Sequence, residues 1–265
     1  MPACRHPAGW LGLTNKSIPL SLLTAKHVQG DDTTALEAAL AATAERFNMS
    51  VTMHKKEIKK RVAVLVSRST HNLWDLLIKH AAGELDCELV LVAGNHAEPG
   101  GEVAAKFGVP FHHLPIDASA HDGDKEAAKA AQEKALRRLL EEEAVDVVVL
   151  ARYMQVLSAD FCRDYAGRVI NIHHSFLPAF EGGRPYHRAH ERGVKLIGAT
   201  AHFVSADLDA GPIISQNVVP VSHRDSVEDL VRKGADLERL TLSRALRLHL
   251  QNRVLLHDNK TIVYD

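Results

Sequence analysis

The sequence predicts an α/β protein with a doubly wound, Rossmann-like and mostly parallel sheet. From residue 59 onward, continuous apolar runs of strand length alternate with helical segments. Strands that lack a polar face are typical of a parallel sheet that helices cover on both sides. The hydrophobic fraction of 46% and the charged fraction of 25% are those of an ordinary globular protein, and 265 residues suffice for one large domain with a small appendage.

The part of the chain before residue 59 has a different pattern. Residues 31–49 predict a capped amphipathic helix, and residues 50–57 predict a short alternating strand. Residues 1–30 contain no acidic residue and little periodicity, so we expect a poorly ordered leader, with an organellar transit peptide as the alternative. The predicted organisation is therefore a leader (1–30), a partial segment (31–58) and a main domain (59–265).

The main domain predicts strands and helices in alternation, and then a closing hairpin. The expected strands lie at residues 62–67, 88–94, 109–115, 145–151 and 168–172, with two further strands within 194–204 and 212–221 and the hairpin at 253–264. The expected helices lie at residues 72–83, 100–108, 124–143, 158–165 and 226–250. In such sheets a ligand binds beside the carboxyl ends of the strands.

Charge and cysteine content restrict the partners and the compartment. The formal net charge is −1 and no long basic block occurs, so we expect neither nucleic acid nor a membrane surface as partner, and favour a small molecule. Three scattered cysteines without a CxxC pair argue against a disulfide framework and a thiolate zinc site. No apolar run has the length of a membrane span. We expect a cytoplasmic protein, or a mitochondrial or plastid one if the leader is a transit peptide.

Polar side chains lie in or after two of the predicted strands. The strand Val-Ile-Asn-Ile places Asn171 and His173 two positions apart, so both side chains point the same way. An amide there can stabilise an oxyanion, and an imidazole can move a proton near neutral pH. Asp209, in an Asp-x-Gly-Pro turn, could orient the imidazole and a water, and His202 could reach the same crevice. The set predicts acyl transfer without a covalent nucleophile.

Other interpretations of these residues remain open. His174 and His202 could be packing histidines, and Asp209 could serve only its turn. His173, His174 and Asp209 could form a metal site, which is the less favoured interpretation. Ser175 lacks the G-x-S-x-G context of a serine nucleophile.

Several motifs in order resemble a known family. The segments 170–180, 185–204 and 207–214, which read INIHHSFLPAF, PYHRAHERGVKLIGATAHFV and DLDAGPII, resemble the formyltransferase family, whose members act on 10-formyltetrahydrofolate. LARYMQVLS (150–158) and VSHRDSVEDLVRKG (221–234) resemble the formyltetrahydrofolate deformylases within it. The resemblance implies hydrolysis of 10-formyltetrahydrofolate to tetrahydrofolate and formate in support of purine biosynthesis. It implies no further cofactor, no metal, and a homo-oligomer.

The same resemblance assigns residues. The family's catalytic asparagine, histidine and aspartate fall on Asn171, His173 and Asp209. The family's folate-contacting loop falls on Met154, Gln155, Val156 and Leu157. We add His174 and His202 to the predicted substrate-binding residues because both lie in the segments that the strand-end rule collects in the crevice. The family's N-terminal ACT-type module is matched only over 34–58, which predicts a truncated ACT-like remnant and puts amino-acid regulation in doubt.

The formyl acceptor is the point at which related enzymes differ. A glycinamide ribonucleotide formyltransferase, the alternative function, must hold a substrate phosphate, typically with a glycine-rich loop after the first strand. Residues 66–77 (VSRSTHNLWDLL) contain no glycine, which favours water as acceptor. A metal-dependent hydrolase and a folate sensor without turnover are the remaining alternatives.

Overall fold

A computed structural model describes residues 31–46, 48, 58–179 and 183–264. The predicted leader, the predicted strand at 50–57 and residues 180–182 lie outside the described residues. The helix expected at 31–49 is present as α1, Asp31–Arg46. The described residues from 58 to 264 belong to one compact unit. Within the described ranges, none of the helices combines the length and apolarity that crossing a membrane requires.

The main domain is built around one seven-stranded sheet. Its strands are β1 (Lys60–Val66), β2 (Cys87–Gly94), β3 (Phe111–His113), β4 (Val147–Leu150), β5 (Val169–His173), β6 (Leu196–Phe203) and β7 (Ile213–Pro220). Their order across the sheet is β3-β2-β1-β4-β5-β6-β7. The first five strands pair in parallel, and β6 lies antiparallel to β5 and β7. The predicted doubly wound, mostly parallel sheet is confirmed.

Six α-helices, a 3-10 helix and a separate hairpin complete the described part of the domain. The α-helices are α2 (His71–Ala81), α3 (Gly100–Lys106), α4 (Lys125–Glu142), α5 (Ala159–Asp164), α6 (Pro185–Arg192) and α7 (Val227–Leu250). The 3-10 helix is Ala118–His121, and the hairpin strands are β8 (Val254–His257) and β9 (Lys260–Val263). Ser226 caps α7 in a reciprocal capping box with Asp229, as expected of a strong helix start.

The sheet has a core on each face. Along β1, Val62, Val64 and Val66 are buried in one hydrophobic cluster, while Ala63 and Leu65 are buried in the other. Because successive side chains of a strand point to opposite faces, a strand covered on both sides must be apolar throughout. This requirement explains the continuous apolar runs in the sequence.

Two elements differ from the sequence prediction. The strand expected over 109–115 is only the three residues of β3, and the preceding Pro110 has no N–H to donate to a ladder. Helix α6 was not predicted, although Pro185 lies in its first turn and Gly193 ends it with a φ of 67°. These are ordinary start and stop signals for a helix.

Candidate active site

His173 and Asp209 meet at the carboxyl end of β5. The Nδ1 atom of His173 lies 3.2 Å from Oδ2 of Asp209, and their side chains are only 5% and 9% exposed. The carboxylate can only accept, so Nδ1 carries the proton and Nε2 is the free ring nitrogen. That Nε2 is buried and has no hydrogen-bond partner among the described residues. The geometry therefore leaves Nε2 of His173 free to exchange a proton with a ligand.

Asn171 is held by a cross-strand partner. It pairs with His202 across the antiparallel β5 and β6, and its Nδ2 lies 3.2 Å from Nε2 of His202. Nδ1 of His202 lies 2.8 Å from the carbonyl oxygen of Phe203, so this nitrogen donates and Nε2 accepts from the amide. One N–H of Asn171 is thus used for orientation, and the other can donate to a carbonyl oxygen. His202 is itself only 2% exposed, so its ring lies in the interior beside Asn171.

The turn that carries Asp209 depends on its glycine. Asp209 has a φ of 56°, a left-handed conformation that aspartate tolerates better than most residues. A Cβ atom at Gly211 would lie 1.8 Å from the carbonyl oxygen of Phe203. The backbone N–H of Phe203 also donates to the carbonyl of Pro212 over 2.9 Å. The Asp-x-Gly-Pro sequence therefore lets the turn lie directly against the end of β6.

A buried threonine fixes the loop that follows His173. The Oγ1 atom of Thr200 accepts from the backbone N–H of Leu177 at 3.0 Å and donates to the carbonyl of Ser175 at 2.8 Å. The hydroxyl of Ser175 donates to the carbonyl of Ala179 at 2.6 Å. These hydrogen bonds hold the loop against the sheet. The Ser175 hydroxyl has a structural role, because it donates within the loop.

Burial and neighbouring charges set the ionisation of the site. Burial raises the pKa of Asp209, but the hydrogen bond and charge of His173 outweigh it, so the net pKa lies below its ordinary value. Burial, together with the charge of Arg152, lowers the pKa of His174 to about 3. Burial likewise lowers the pKa of His202. Near neutral pH the site therefore holds one carboxylate beside neutral His174 and His202.

The predicted folate loop presents apolar side chains to solvent. Met154 is 60% exposed and Val156 is 70% exposed, while Gln155 and Leu157 are partly buried. The backbone N–H of Met154 donates to Oγ of Ser67 at 2.9 Å, which ties the loop to the end of β1. Exposed apolar side chains on a fixed backbone can contact a flat aromatic ring.

A cavity of about 540 Å³ adjoins the carboxylate. It is lined by Leu177, Pro178, Asp209, Ala210, Gly211, Ile213, Asn259, Lys260 and Thr261, the last three from the β8–β9 hairpin. This volume is in the range of small-molecule sites. Residues 154–157 do not line this cavity, so the predicted folate loop and the cavity are separate parts of the surroundings of Asp209.

A second buried polar group, which was not predicted from the sequence, lies beside the site. Glu238 of α7 contacts His71, Asn72, Arg152 and Tyr186, which together we call the Glu238 cluster. The signal that could have revealed this group is a charged residue in phase with the buried face of a predicted helix.

The alternative metal site of His173, His174 and Asp209 is not assembled. Among the described residues, no three histidine, cysteine or acidic side chains form a group that could hold a metal ion.

Comparison with known proteins identifies the class of protein. The model of the family described as Formyl transferase matches residues 60–246. The chain belongs to the formyl transferase family, as its motifs predicted.

Within this family the chain is similar to formyltetrahydrofolate deformylases. It is 50% identical to that of Synechocystis sp. over 229 residues, which cover 86% of this chain and 77% of the relative. It is 46% identical to that of Bacillus subtilis over 231 residues, with coverage of 87% and 74%. The predicted resemblance to deformylases is confirmed.

Solved structures of two kinds share the fold. A formyltetrahydrofolate deformylase from Pseudomonas syringae pv. tomato aligns with a TM-score of 0.79 at 50% identity, covering 88% of this chain and 75% of that one. Glycinamide ribonucleotide transformylase 1 from Symbiobacterium toebii aligns with a TM-score of 0.72 at 33% identity, with coverage of 82% and 98%. The fold is therefore shared by a protein named as a deformylase and by one named as a transformylase.

Proposed function

We propose that this protein hydrolyses 10-formyltetrahydrofolate to tetrahydrofolate and formate. The observation that carries the proposal is the convergence of three polar side chains at the end of β5, where Nδ1 of His173 lies 3.2 Å from Asp209 and Asn171 is oriented by His202. The names of the similar proteins from Synechocystis sp. and Bacillus subtilis support the same reaction.

Each side chain has a distinct part in the proposed mechanism. The free N–H of Asn171 donates to the formyl oxygen and stabilises the negative charge that develops there. Asp209 keeps His173 oriented through Oδ2, and its Oδ1 accepts a hydrogen bond from the attacking water. As the water oxygen bonds to the formyl carbon, Nε2 of His173 takes one proton from the water. The bond from that carbon to N10 then breaks, and His173 passes this proton to N10. Tetrahydrofolate leaves with formic acid, which loses the second proton of the water to solvent and becomes formate.

The substrate-binding assignments and the biological setting belong to the same proposal. Met154, Gln155, Val156 and Leu157 would contact the folate, with His174 and His202 close to its reacting end. No further cofactor is required. We place the reaction in the cytoplasm, where released formate and free tetrahydrofolate would balance the one-carbon pool for purine biosynthesis, and we expect a homo-oligomer.

Transfer of the formyl group to glycinamide ribonucleotide is the second candidate. The structural likeness to the Symbiobacterium toebii transformylase favours it. The loop after β1 argues against it, since residues 67–70 contain no glycine whose backbone could approach a phosphate closely.

The proposal is tested by incubating the purified full chain with 10-formyltetrahydrofolate in buffer without an acceptor. We expect formate and tetrahydrofolate in equal amounts, unchanged by a chelator and not accelerated by glycinamide ribonucleotide. Asp209→Asn and His173→Ala should each slow formate release by about 100-fold or more while the circular dichroism spectrum is retained. Full turnover by either folded variant would refute the assigned roles, and acceptor-dependent consumption would favour the transferase.

A further inference from the structure

Each carboxylate oxygen of the buried Glu238 accepts a hydrogen bond from another side chain of this protein. Its side chain is 2% exposed. Its Oε2 lies 2.8 Å from Nε2 of His71, and its Oε1 accepts from the Tyr186 hydroxyl at 2.9 Å. Nδ2 of Asn72 donates to Oε2 at 3.4 Å, and Nε of Arg152 lies 3.7 Å from the same oxygen. Both oxygens of this carboxylate thus bind side chains of the protein itself.

The Glu238 cluster lies at the switch point of the sheet. The strand order reverses between β1 and β4, and in doubly wound folds the crevice at that point takes the ligand. His71 begins α2, directly after the loop that leaves β1, and Arg152 follows the end of β4 by two residues. Here the protein's own side chains therefore occupy a place that the fold usually leaves for a ligand.

The backbone is adapted to seat these side chains. A Cβ atom at position 234 of α7 would lie 2.0 Å from the Tyr186 hydroxyl, so Gly234 makes the room that Tyr186 fills. Arg152 adopts a φ of 64°, a conformation that costs an arginine energy and a glycine none. Its Nε and Nη1 are buried without a hydrogen-bond partner among the described residues, so it contributes charge and volume to the cluster.

The charges of the cluster compensate one another. Burial raises the pKa of Glu238, but the hydrogen bond from His71 and the charge of Arg152 lower it by more, so the carboxylate stays ionised. A buried carboxylate with several partners is a strong mutual constraint, because removal of one partner leaves part of the charge uncompensated. The side chains of the Glu238 cluster are therefore held in fixed positions.

The ring of His174 separates the Glu238 cluster from His173, the proposed catalytic histidine. The ring of His174 lies 6.0 Å from that of Tyr186 and 5.1 Å from that of His173, measured between centroids. A change in the shape of the cluster would therefore change the space next to the formyl carbon.

We propose that the Glu238 cluster determines the formyl acceptor, by filling the switch-point crevice so that water reaches the formyl carbon and a larger amine does not. The inference rests on the proposed hydrolysis and adds its specificity. With the crevice opened, the nitrogen of a small primary amine would bond to the formyl carbon. The bond from that carbon to N10 would break and one amine proton would pass to N10, giving tetrahydrofolate and an N-formyl amine.

The test removes side chains of the Glu238 cluster and leaves Asn171, His173 and Asp209 unchanged. The variant H71A/R152G removes two side chains of the cluster, and glycine suits the left-handed backbone at position 152. The full chain is incubated with 10-formyltetrahydrofolate and excess glycinamide, and mass spectrometry gives the ratio of N-formylglycinamide to formate. We expect this ratio to rise by about tenfold or more over the wild type. The control H71Q/R152K keeps polar side chains of similar length and should retain the wild-type ratio.

The outcomes separate the inference from the function on which it rests. A folded H71A/R152G protein that releases formate with the wild-type ratio overturns the specificity role and leaves hydrolysis in place. A wild-type protein that releases no formate overturns the proposed function instead. If the double variant unfolds, Arg152→Gly alone carries the test by the same criterion, since that substitution relieves backbone strain.

Discussion

At the scale of single residues, the ring nitrogens of two histidines define the candidate site. Asp209 accepts from Nδ1 of His173, so Nε2 of that ring is free for the reaction. The carbonyl of Phe203 accepts from Nδ1 of His202, so Nε2 of that ring accepts from Asn171. In both rings a fixed acceptor on one nitrogen determines what the other nitrogen can do.

His202 is therefore expected to influence the folate by orienting Asn171, close to the reacting end, and not by a direct contact. His202→Leu removes the acceptor for the Asn171 amide, and the misplaced donor should lower kcat by about tenfold to a hundredfold with little change in KM. His202→Gln, which keeps an acceptor oxygen, should restore part of the rate. Steady-state kinetics of the two variants provide the measurement. A raised KM with normal kcat would instead make His202 a substrate contact, as the sequence first indicated.

At the scale of elements, the turn between β6 and β7 carries the carboxylate into place. In Gly211→Ala the new methyl group meets the carbonyl oxygen of Phe203, and backbone cannot move aside as a flexible side chain can. We expect the free energy of unfolding to fall by about 3 kcal/mol, measured by urea denaturation, with loss of formate release.

Gly183→Ala is the matched control for that substitution. Among the described residues, nothing lies within 4 Å of a Cβ at Gly183, and its φ is not in the left-handed range. Its stability should stay within about 0.5 kcal/mol of the wild type. Equal stability of the two variants would contradict the close approach of the turn to β6.

The elements differ in how well the sequence predicts them, for physical reasons. Strands β1, β4 and β5 are buried on both faces, so their apolar runs are unambiguous. Helix α7 begins with a capping box and has a long periodic face, which is why its start was predicted to within one residue. Helix α6 is short and mostly polar, and the packing of Tyr186 against α7 stabilises it, which local sequence does not reveal.

At the scale of the whole molecule, contacts between distant segments of the chain are the part of the site that the sequence predicts least well. Asn171 and His173 share a strand, and the strand-end rule places them in a crevice without any structure. The convergence of Asp209 with them followed from that rule and from family motifs. The Glu238 cluster joins α2, the loop after β4, α6 and α7, and no local pattern in the sequence relates those four segments.

Buried neutral histidines should make the stability of the whole molecule depend on pH. Burial, and then the charge of Lys60, lower the pKa of His249 to about 3, and that of His174 is also about 3. The unfolded chain binds these protons near pH 6.5, so stability falls as the pH drops below that value, by up to about 1.4 kcal/mol per pH unit for each histidine. Urea denaturation between pH 6.5 and 5 measures this slope, above the range in which carboxylates titrate.

His249→Gln identifies the source of that slope. The ring of His249 packs edge-on against Phe203, 5.5 Å between centroids, and glutamine removes its titration while keeping a neutral polar side chain. The variant should lose part of the acid dependence, since His174 and His202 still contribute. An unchanged slope would mean that His249 is protonated in the folded protein.

The central claim is that His173 and Asp209 act as one unit on the water that attacks the formyl group. The most direct test is the rate of formate release by His173→Ala, by Asp209→Asn and by the double variant, each shown to be folded. Groups that act together are not additive, so we expect the double variant to be no slower than the slower single variant. Losses that multiply in the double variant, or normal turnover in any of the three, would contradict the account.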